Sequence, residues 1–147
     1  MSERLVEETP TLIASNVYLV ESTFKIENDP GESMLLDVAS SMDRTCWVGD
    51  GEEQRFREVV LTVEIKLVCA DDQTDVRLRG LATVACIVHS VNNMALDASL
   101  ATREGIIAAY GLARSYLLTT TAFSPAGGIS IPEVDPEKVI AAYGRSL

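Results

Sequence analysis

The sequence predicts an α+β fold: a four-stranded antiparallel sheet followed by a long helix and a shorter C-terminal helix. Three observations carry this expectation. Between Phe56 and Val68, the residues Val59, Leu61, Val63, Ile65 and Leu67 alternate with Glu58, Thr62, Glu64 and Lys66. That period of two marks a strand with one buried face. From Thr102 to Thr120, Ile106, Ile107, Tyr110, Ala113, Leu117 and Leu118 recur at helical spacings instead. All strand-like segments precede both helical ones, an order that favours α+β over alternating βαβ units.

The elements follow in order. Residues 1–15 begin with the charged run MSERLVEETP and read as a flexible segment. VYLVESTFKI (Val17–Ile26) is rich in β-branched and aromatic residues and predicts the first strand. Asn28-Asp29-Pro30-Gly31 supplies a compact turn, and MLLDV (Met34–Val38) predicts a short second strand. Residues 40–55 then turn polar around Gly49-Asp50-Gly51 and read as an inserted loop carrying Met42 and Trp47. After the third strand, Asp71-Asp72-Gln73 makes a turn into a fourth strand from Asp75 to Val88. On it Val76, Leu78, Ala82, Val84, Cys86 and Val88 share one face, interrupted by Gly80. The other face starts with Arg77 and Arg79 and becomes apolar at Leu81, Ala85 and Ile87.

Thr102 reads as the N-cap of the long helix, with Glu104 near its positive end. Thr119-Thr120-Thr121 weakens helix propensity and ends it. A Pro/Gly-rich connector follows. Asp135 as N-cap and Pro136 as the first helical residue then open the closing helix. The 147 residues read as one domain.

Composition excludes several functional classes. The formal net charge is −10 and aromatics are only 5% of the chain. A nucleic-acid binder needs a basic face, so that class is set aside. The charge is uneven: residues 1–75 hold 17 acids and 6 bases, whereas residues 76–147 hold 5 acids and 6 bases. Three widely spaced cysteines (Cys46, Cys69, Cys86) form no CxxC pair, which favours reduced thiols. The N-terminus lacks the basic, then apolar, pattern of a signal peptide, and no apolar run reaches roughly 18 residues. The expectation is a soluble cytoplasmic protein without membrane insertion.

Enzyme motifs are absent. The single histidine, His89, falls at a strand end with no HxxH or Cys/His spacing beside it, and reads as a hydrogen-bonded structural residue. The glycines form neither GxGxxG nor a P-loop. Asp71-Asp72 and Glu52-Glu53 lack the spacing of an ion-binding loop. Cys46 has only Arg44 as a nearby basic neighbour, and Tyr110 and Tyr116 read as packing residues. The sequence predicts neither enzyme, metal nor cofactor.

Five ordered segments nevertheless form a pattern. VYLVESTFK (Val17–Lys25) resembles the first strand of the protein-export chaperone SecB and its relatives. LLDVASS (Leu35–Ser41) is similar to that family's LDLD-TASS signature, and REVVLTVEIKL (Arg57–Leu67) to its third strand, usually written YEVVLRVTV. AYGLARSYLLTTT, then IPEVDPEKVIAAY, resembles its long helix, Pro-containing connector and closing helix. The resemblance runs from about Val17 to Tyr143.

It implies a chaperone that holds unfolded polypeptides in apolar grooves without ATP or cofactor, assembled as a homotetramer (a dimer of dimers). A high negative charge fits such an oligomer by keeping it soluble. It also implies that acids on the exposed sheet face dock the translocation ATPase SecA. Here Glu21 is kept, but Lys25, Arg77 and Arg79 stand at the remaining docking positions. A surface of partly inverted sign repels that partner. The expected role therefore extends beyond export to stabilising an antitoxin. Client contacts are expected from Tyr18, Phe24, Val76 and Leu78 on the sheet and from Met42 and Trp47 in the loop. Packing is an equal alternative for Tyr18 and Phe24. Ile106, Ile107, Tyr110 and Leu117 are expected at the oligomer interface. The rival reading is a non-enzymatic adaptor of the same fold with one specific protein partner.

Overall fold

The computed structural model describes residues 11–49 and 53–145. Four strands, β1 (Leu12–Ile26), β2 (Met34–Trp47), β3 (Arg57–Cys69) and β4 (Val76–Ser90), precede the helices α1 (Ala98–Ala122) and α2 (Pro136–Arg145). The strands form one antiparallel sheet in the order β1-β4-β3-β2. The alternating apolar residues of β3 and β4 put Val59, Leu61, Val63, Ile65, Leu78, Val84 and Val88 on one face, fully buried beneath α1. Burying one such side chain contributes about 1.5–3 kcal/mol.

The connection from β1 to β2 differs from the compact turn expected of Asn28–Gly31. It crosses from one edge of the sheet to the other, because β3 and β4 pair with each other and occupy the centre. Arg77 holds the crossover down. Its carbonyl accepts the Glu27 and Asn28 amides at 2.8 and 3.2 Å, and its guanidinium donates to the Asp29 carbonyl at 2.7 Å.

The strands are longer than the sequence suggests. The described part of the N-terminal segment is already strand from Leu12, whose partner is Ser90, so residues 12–15 are ordered by pairing; residues 1–10 lie outside the described residues. The polar stretch read as an inserted loop is strand as far as Trp47. An edge strand needs apolar residues on one face only, and Ser40, Met42 and Thr45 turn inward while Ser41, Arg44 and Cys46 face solvent. The true connection is confined to residues 48–56, of which 50–52 lie outside the described residues.

Bulges reset the faces. Ser15 pairs with Ile87 and Tyr18 with Ala85, so β1 carries an extra residue there, with Asn16 at φ 49°. A second extra residue lies between Leu19 and Glu21. The parity of β1 therefore flips between Tyr18 and Phe24. Tyr18 faces away from α1, whereas Phe24, opposite Gly80, faces toward it. In β2 the shift between Met42 and Arg44 brings Met42 and Trp47 onto the same inner face.

α1 is capped five residues before the expected Thr102. Asp97 is its N-cap, accepting the Ser99 amide at 2.9 Å. Thr102 is instead buried inside the helix. The sheet-facing stripe of α1 is built from Ala101, Gly105, Ile106, Ala109, Ala113 and Leu117. A Cβ on Gly105 would collide with the Val59 side chain, so glycine is required by close approach rather than by backbone angle. Gly80 does the same from β4, where a Cβ would lie 3.0 Å from Ile65 and 3.1 Å from Leu117. α2 begins as expected, with Asp135 accepting the Glu137 amide at 3.1 Å and Pro136 as its first residue.

Two outcomes follow from the Gly105 contact. Gly105→Ala lowers stability by about 1–3 kcal/mol through overpacking, measured by urea unfolding; a variant as stable as the parent would show that α1 does not sit this close. Beneath Gly105, the Cys86 thiol donates to the Gly105 carbonyl at 3.3 Å, and burial pushes its pKa from 9.0 up to about 11. The folded thiol therefore keeps its proton at a pH where the unfolded thiol loses it. Its contribution to stability is complete below pH 9 and lost as pH rises toward 11. Unfolding curves from pH 8 to 11 should fall less steeply for Cys86→Ala than for the parent.

Candidate functional site

The inner face of the sheet is only partly covered by α1, and α2 closes the part above β2. α2 is anchored by one buried side chain, Val139, with Ile140 and Tyr143 partly buried beside it. The connector before it is fastened where the Tyr110 hydroxyl donates to the Pro132 carbonyl at 2.6 Å. A side chain that makes that bond inside the core raises the phenol pKa by burial.

Two of the recesses beside α2 lie between it and β2. The first, about 310 Å³, is lined by Val38, Ser40, Tyr110, Pro132, Val134 and Lys138 among others. The second, about 180 Å³, is formed by Met42, Thr45, Arg57, Thr102, Ile140 and Tyr143 with the first turn of α1. There the Arg57 guanidinium lies 4.8 Å over the Trp47 ring, and its Nε donates to the hydroxyls of Thr45 at 2.9 Å and Thr102 at 3.3 Å. The first recess also includes Glu133 and Asp135 together with Lys138, whereas Arg57 is the charged residue among those lining the second.

The opposite face of the sheet carries no helix. Its centre is a polar row: the Thr62 hydroxyl donates to Asp43 and shares a 2.8 Å hydrogen bond with Thr83, next to Glu21. Arg44, Val60, Ala85 and Tyr18 form the adjacent row, and the small central residues leave Tyr18 53% exposed. The Glu58 carboxylate bonds Arg44 and raises its pKa.

At the far end lies a recess of about 510 Å³ that includes Leu35, Asp37, Lys66, Val76 and Arg79. The cations expected to disturb docking are largely answered there. Lys25 and Arg79 both reach Glu27, at 3.9 and 3.0 Å. Arg77 bonds Asp75 at 2.8 Å, which raises the Arg77 pKa and lowers that of Asp75. Cys69 donates to the same carboxylate at 3.3 Å, and burial raises its pKa. Arg77 is therefore a clamp between two turns, and Arg79 is the surface cation.

Of the residues singled out from sequence, Met42 lines the second recess and Trp47 stacks on its Arg57. Tyr18 and Val76 lie on the helix-free face, and Phe24 packs on the core at the other end of β1. Leu78 is fully buried and has no surface to offer a client. Ile106, Tyr110 and Leu117 are likewise inside the chain's own core, because they occupy the sheet-facing stripe of α1. Ile107 points outward with Leu100 and Leu118, and this outward stripe was divided from the inner one only by the helix's orientation.

Sequence reasoning missed Arg57, Thr45, Thr102, Ile140 and Tyr143. One signal was present: Arg57 occupies an inner-face position of the period-two pattern, two residues before Val59, where a charge needs a reason. His89 bonds the Ser90 carbonyl through Nδ1 at 3.0 Å and its ring contacts Phe56 at 5.7 Å. Among the described residues, no group of His, Cys, Asp or Glu is placed to hold a metal ion, and no helix is long and apolar enough to cross a membrane.

This arrangement, a four-stranded antiparallel sheet with a long helix on one face and a short closing helix, is a SecB-like fold. A solved SecB-like chaperone of Mycobacterium tuberculosis, in complex with a ChAD peptide from the HigA1 antitoxin, superposes with a TM-score of 0.64. The match covers 85% of this chain and 91% of that one at 11% identity. A protein of unknown function from Streptococcus agalactiae is similar over 85% of this chain and 99% of its own, with TM-score 0.46 and 10% identity. No protein-family model and no curated protein matches the sequence.

The two arginines of β4 separate experimentally. Arg77→Ala should lower the urea midpoint, because it releases the crossover and leaves Asp75 without its cation. Arg79→Ala should leave the midpoint close to the parent's. Equal effects would show that Arg77 is not a clamp.

Proposed function

We propose that this protein is an ATP-independent holding chaperone that binds non-native polypeptide in the grooves flanking α2. The observation that carries the reading is the weak attachment of α2. A ten-residue helix with Val139 buried, Ile140 and Tyr143 partly buried and an exposed Glu137–Arg103 ion pair, lying beside two recesses, can shift to admit an extended chain at modest cost. The SecB-like fold supports the same reading, and the neighbour of that fold is bound to an antitoxin peptide. We therefore assign the client class as exposed apolar segments of partly folded proteins, an antitoxin among them, with protein export as the other destination.

Met42 and Trp47 contact the client in this proposal, Phe24 extends the apolar surface along β1, and Tyr18 and Val76 serve secondary contacts on the helix-free face. Glu21, Lys25 and Arg79 form the patch presented to a pathway partner. Ile107, with Leu100 and Leu118, meets a second copy in a homotetramer built as a dimer of dimers. Those outward residues are 43–45% exposed in the single chain, and association removes their apolar surface from water. The protein works in the cytoplasm and uses neither metal nor cofactor.

The purified protein should suppress aggregation of several unrelated unfolded proteins at near-stoichiometric ratios without nucleotide. Val139→Asp should abolish suppression while the sheet, followed by circular dichroism, persists. Activity toward a single folded partner only would favour an adaptor, and unchanged aggregation would overturn the chaperone reading.

A further inference from the structure

We infer that the second recess selects client segments carrying an aspartate or glutamate side chain beside apolar residues, through the Arg57 guanidinium. This inference rests on the chaperone reading and names the chemistry of its client.

The chain is strongly acidic, yet among the described residues none that lines the recess carries a carboxylate. Its lining consists of Met42, Ile140, Tyr143, the hydroxyls of Thr45 and Thr102, the start of α1 and Arg57. Seven of the described cations, Lys25, Arg44, Arg55, Lys66, Arg77, Arg79 and Arg103, reach a carboxylate within 4.0 Å. Arg57 does not, and neither do Arg114, Lys138 and Arg145; of these four, Arg57 is the one held between β2, β3 and α1. Its neighbour Glu58 projects from the opposite face of the sheet and is bonded to Arg44.

The geometry fixes the guanidinium without consuming it. Only Nε is engaged, by the two threonine hydroxyls, and the Trp47 ring supports its plane. The two terminal nitrogens retain their donors, in the fork that matches a carboxylate bidentately. A preorganised arginine loses little side-chain freedom on binding, so more of the interaction reaches the observed affinity.

The start of α1 adds to the effect. Ala98, Ser99 and Thr102 line the recess, and the first turn of α1 contains no acidic residue. The positive end of the helix dipole therefore acts on the same space, with the Asp97 cap carboxylate turned to the Ser99 amide. Met42 and Ile140 supply the apolar walls for the residue flanking the carboxylate. The recess opens beneath the edge of α2, so a chain can continue past it, and the expected carboxylate belongs to an internal side chain.

Three peptides with one apolar sequence test this by fluorescence anisotropy: a central glutamate with an amidated C-terminus, a central glutamine with an amidated C-terminus, and the glutamine form with a free C-terminus. The parent protein should bind the glutamate peptide about tenfold more tightly than the amidated glutamine peptide, as a charge-assisted hydrogen bond gives. Arg57→Gln should remove the difference, and Arg57→Lys should keep part of it as a point charge. The glutamate/glutamine comparison on the parent protein stands even if a variant folds poorly. Equal binding of the two amidated peptides would overturn the inference alone. A preference for the free C-terminus over the glutamate would overturn the side-chain assignment. Failure to bind any of the three, together with absent aggregation suppression, would remove the chaperone reading and this inference with it.

Discussion

The distance between α1 and the sheet sets the rest of the structure. Gly105 rests against Val59, Gly80 lies under Leu117, and alanines at 101, 109 and 113 fill the positions between. Small residues on one helix stripe let dispersion contacts form along its whole length, at the cost of offering little apolar area of their own. The core is consequently thin. Ile106, Tyr110 and Leu117 are its large contributions from the helix, and Leu100, Ile107 and Leu118 on the outward side remain 43–45% exposed. A single sheet and a single helix cannot cover both of their faces.

That thinness explains the position of α2. Once α1 sits centrally over β3 and β4, the edge strand β2 is left with a half-covered inner face, and α2 lies over it with a narrow apolar stripe. The arrangement differs from ordinary core packing because the recesses between α2 and β2 remain open. The grooves are thus a geometric consequence of where the long helix sits, and the bulge at Asp43 decides which side chains of β2 line them.

How much of this was legible in the sequence follows from which interactions are local. The alternation in β3 and β4, the Asp135-Pro136 start of α2 and the turn at Asp72 are short-range signals, and they predict the elements correctly. Asp72, for example, accepts both the amide and the hydroxyl of Thr74. β2 beyond Val38 was illegible because an edge strand is specified by its partner, and its polar outer residues look like loop. The inner and outer aspects of Tyr18 and Phe24 were illegible because bulges in β1 change parity without a distinctive residue, apart from Asn16 at its positive φ. The site suffered most: Met42 and Trp47 were singled out, but for membership of a loop that is a strand. Arg57, Thr102 and Tyr143 come from three elements that only the fold brings together.

Charge shows the same division between composition and placement. The acid excess of residues 1–75 predicts a soluble, mutually repelling surface, and the described cations of that half except Arg57 are locally answered by acids. Even the basic residues at 25 and 79, which looked like a reversal of sign, share Glu27. Surface pairs of this kind contribute little to stability and are screened by salt. The net charge of residues 1–75 nonetheless stays strongly negative, with 17 acids against 6 bases. Arg57, recessed and stacked on an indole, is the described cation of that half which no acid answers. Long-range repulsion keeps acidic chains away unless an apolar segment draws them in, so carboxylate recognition at Arg57 can act only after apolar contact has been made. In the proposed chaperone, apolar area then determines whether a segment binds, and the arginine determines in which register it rests.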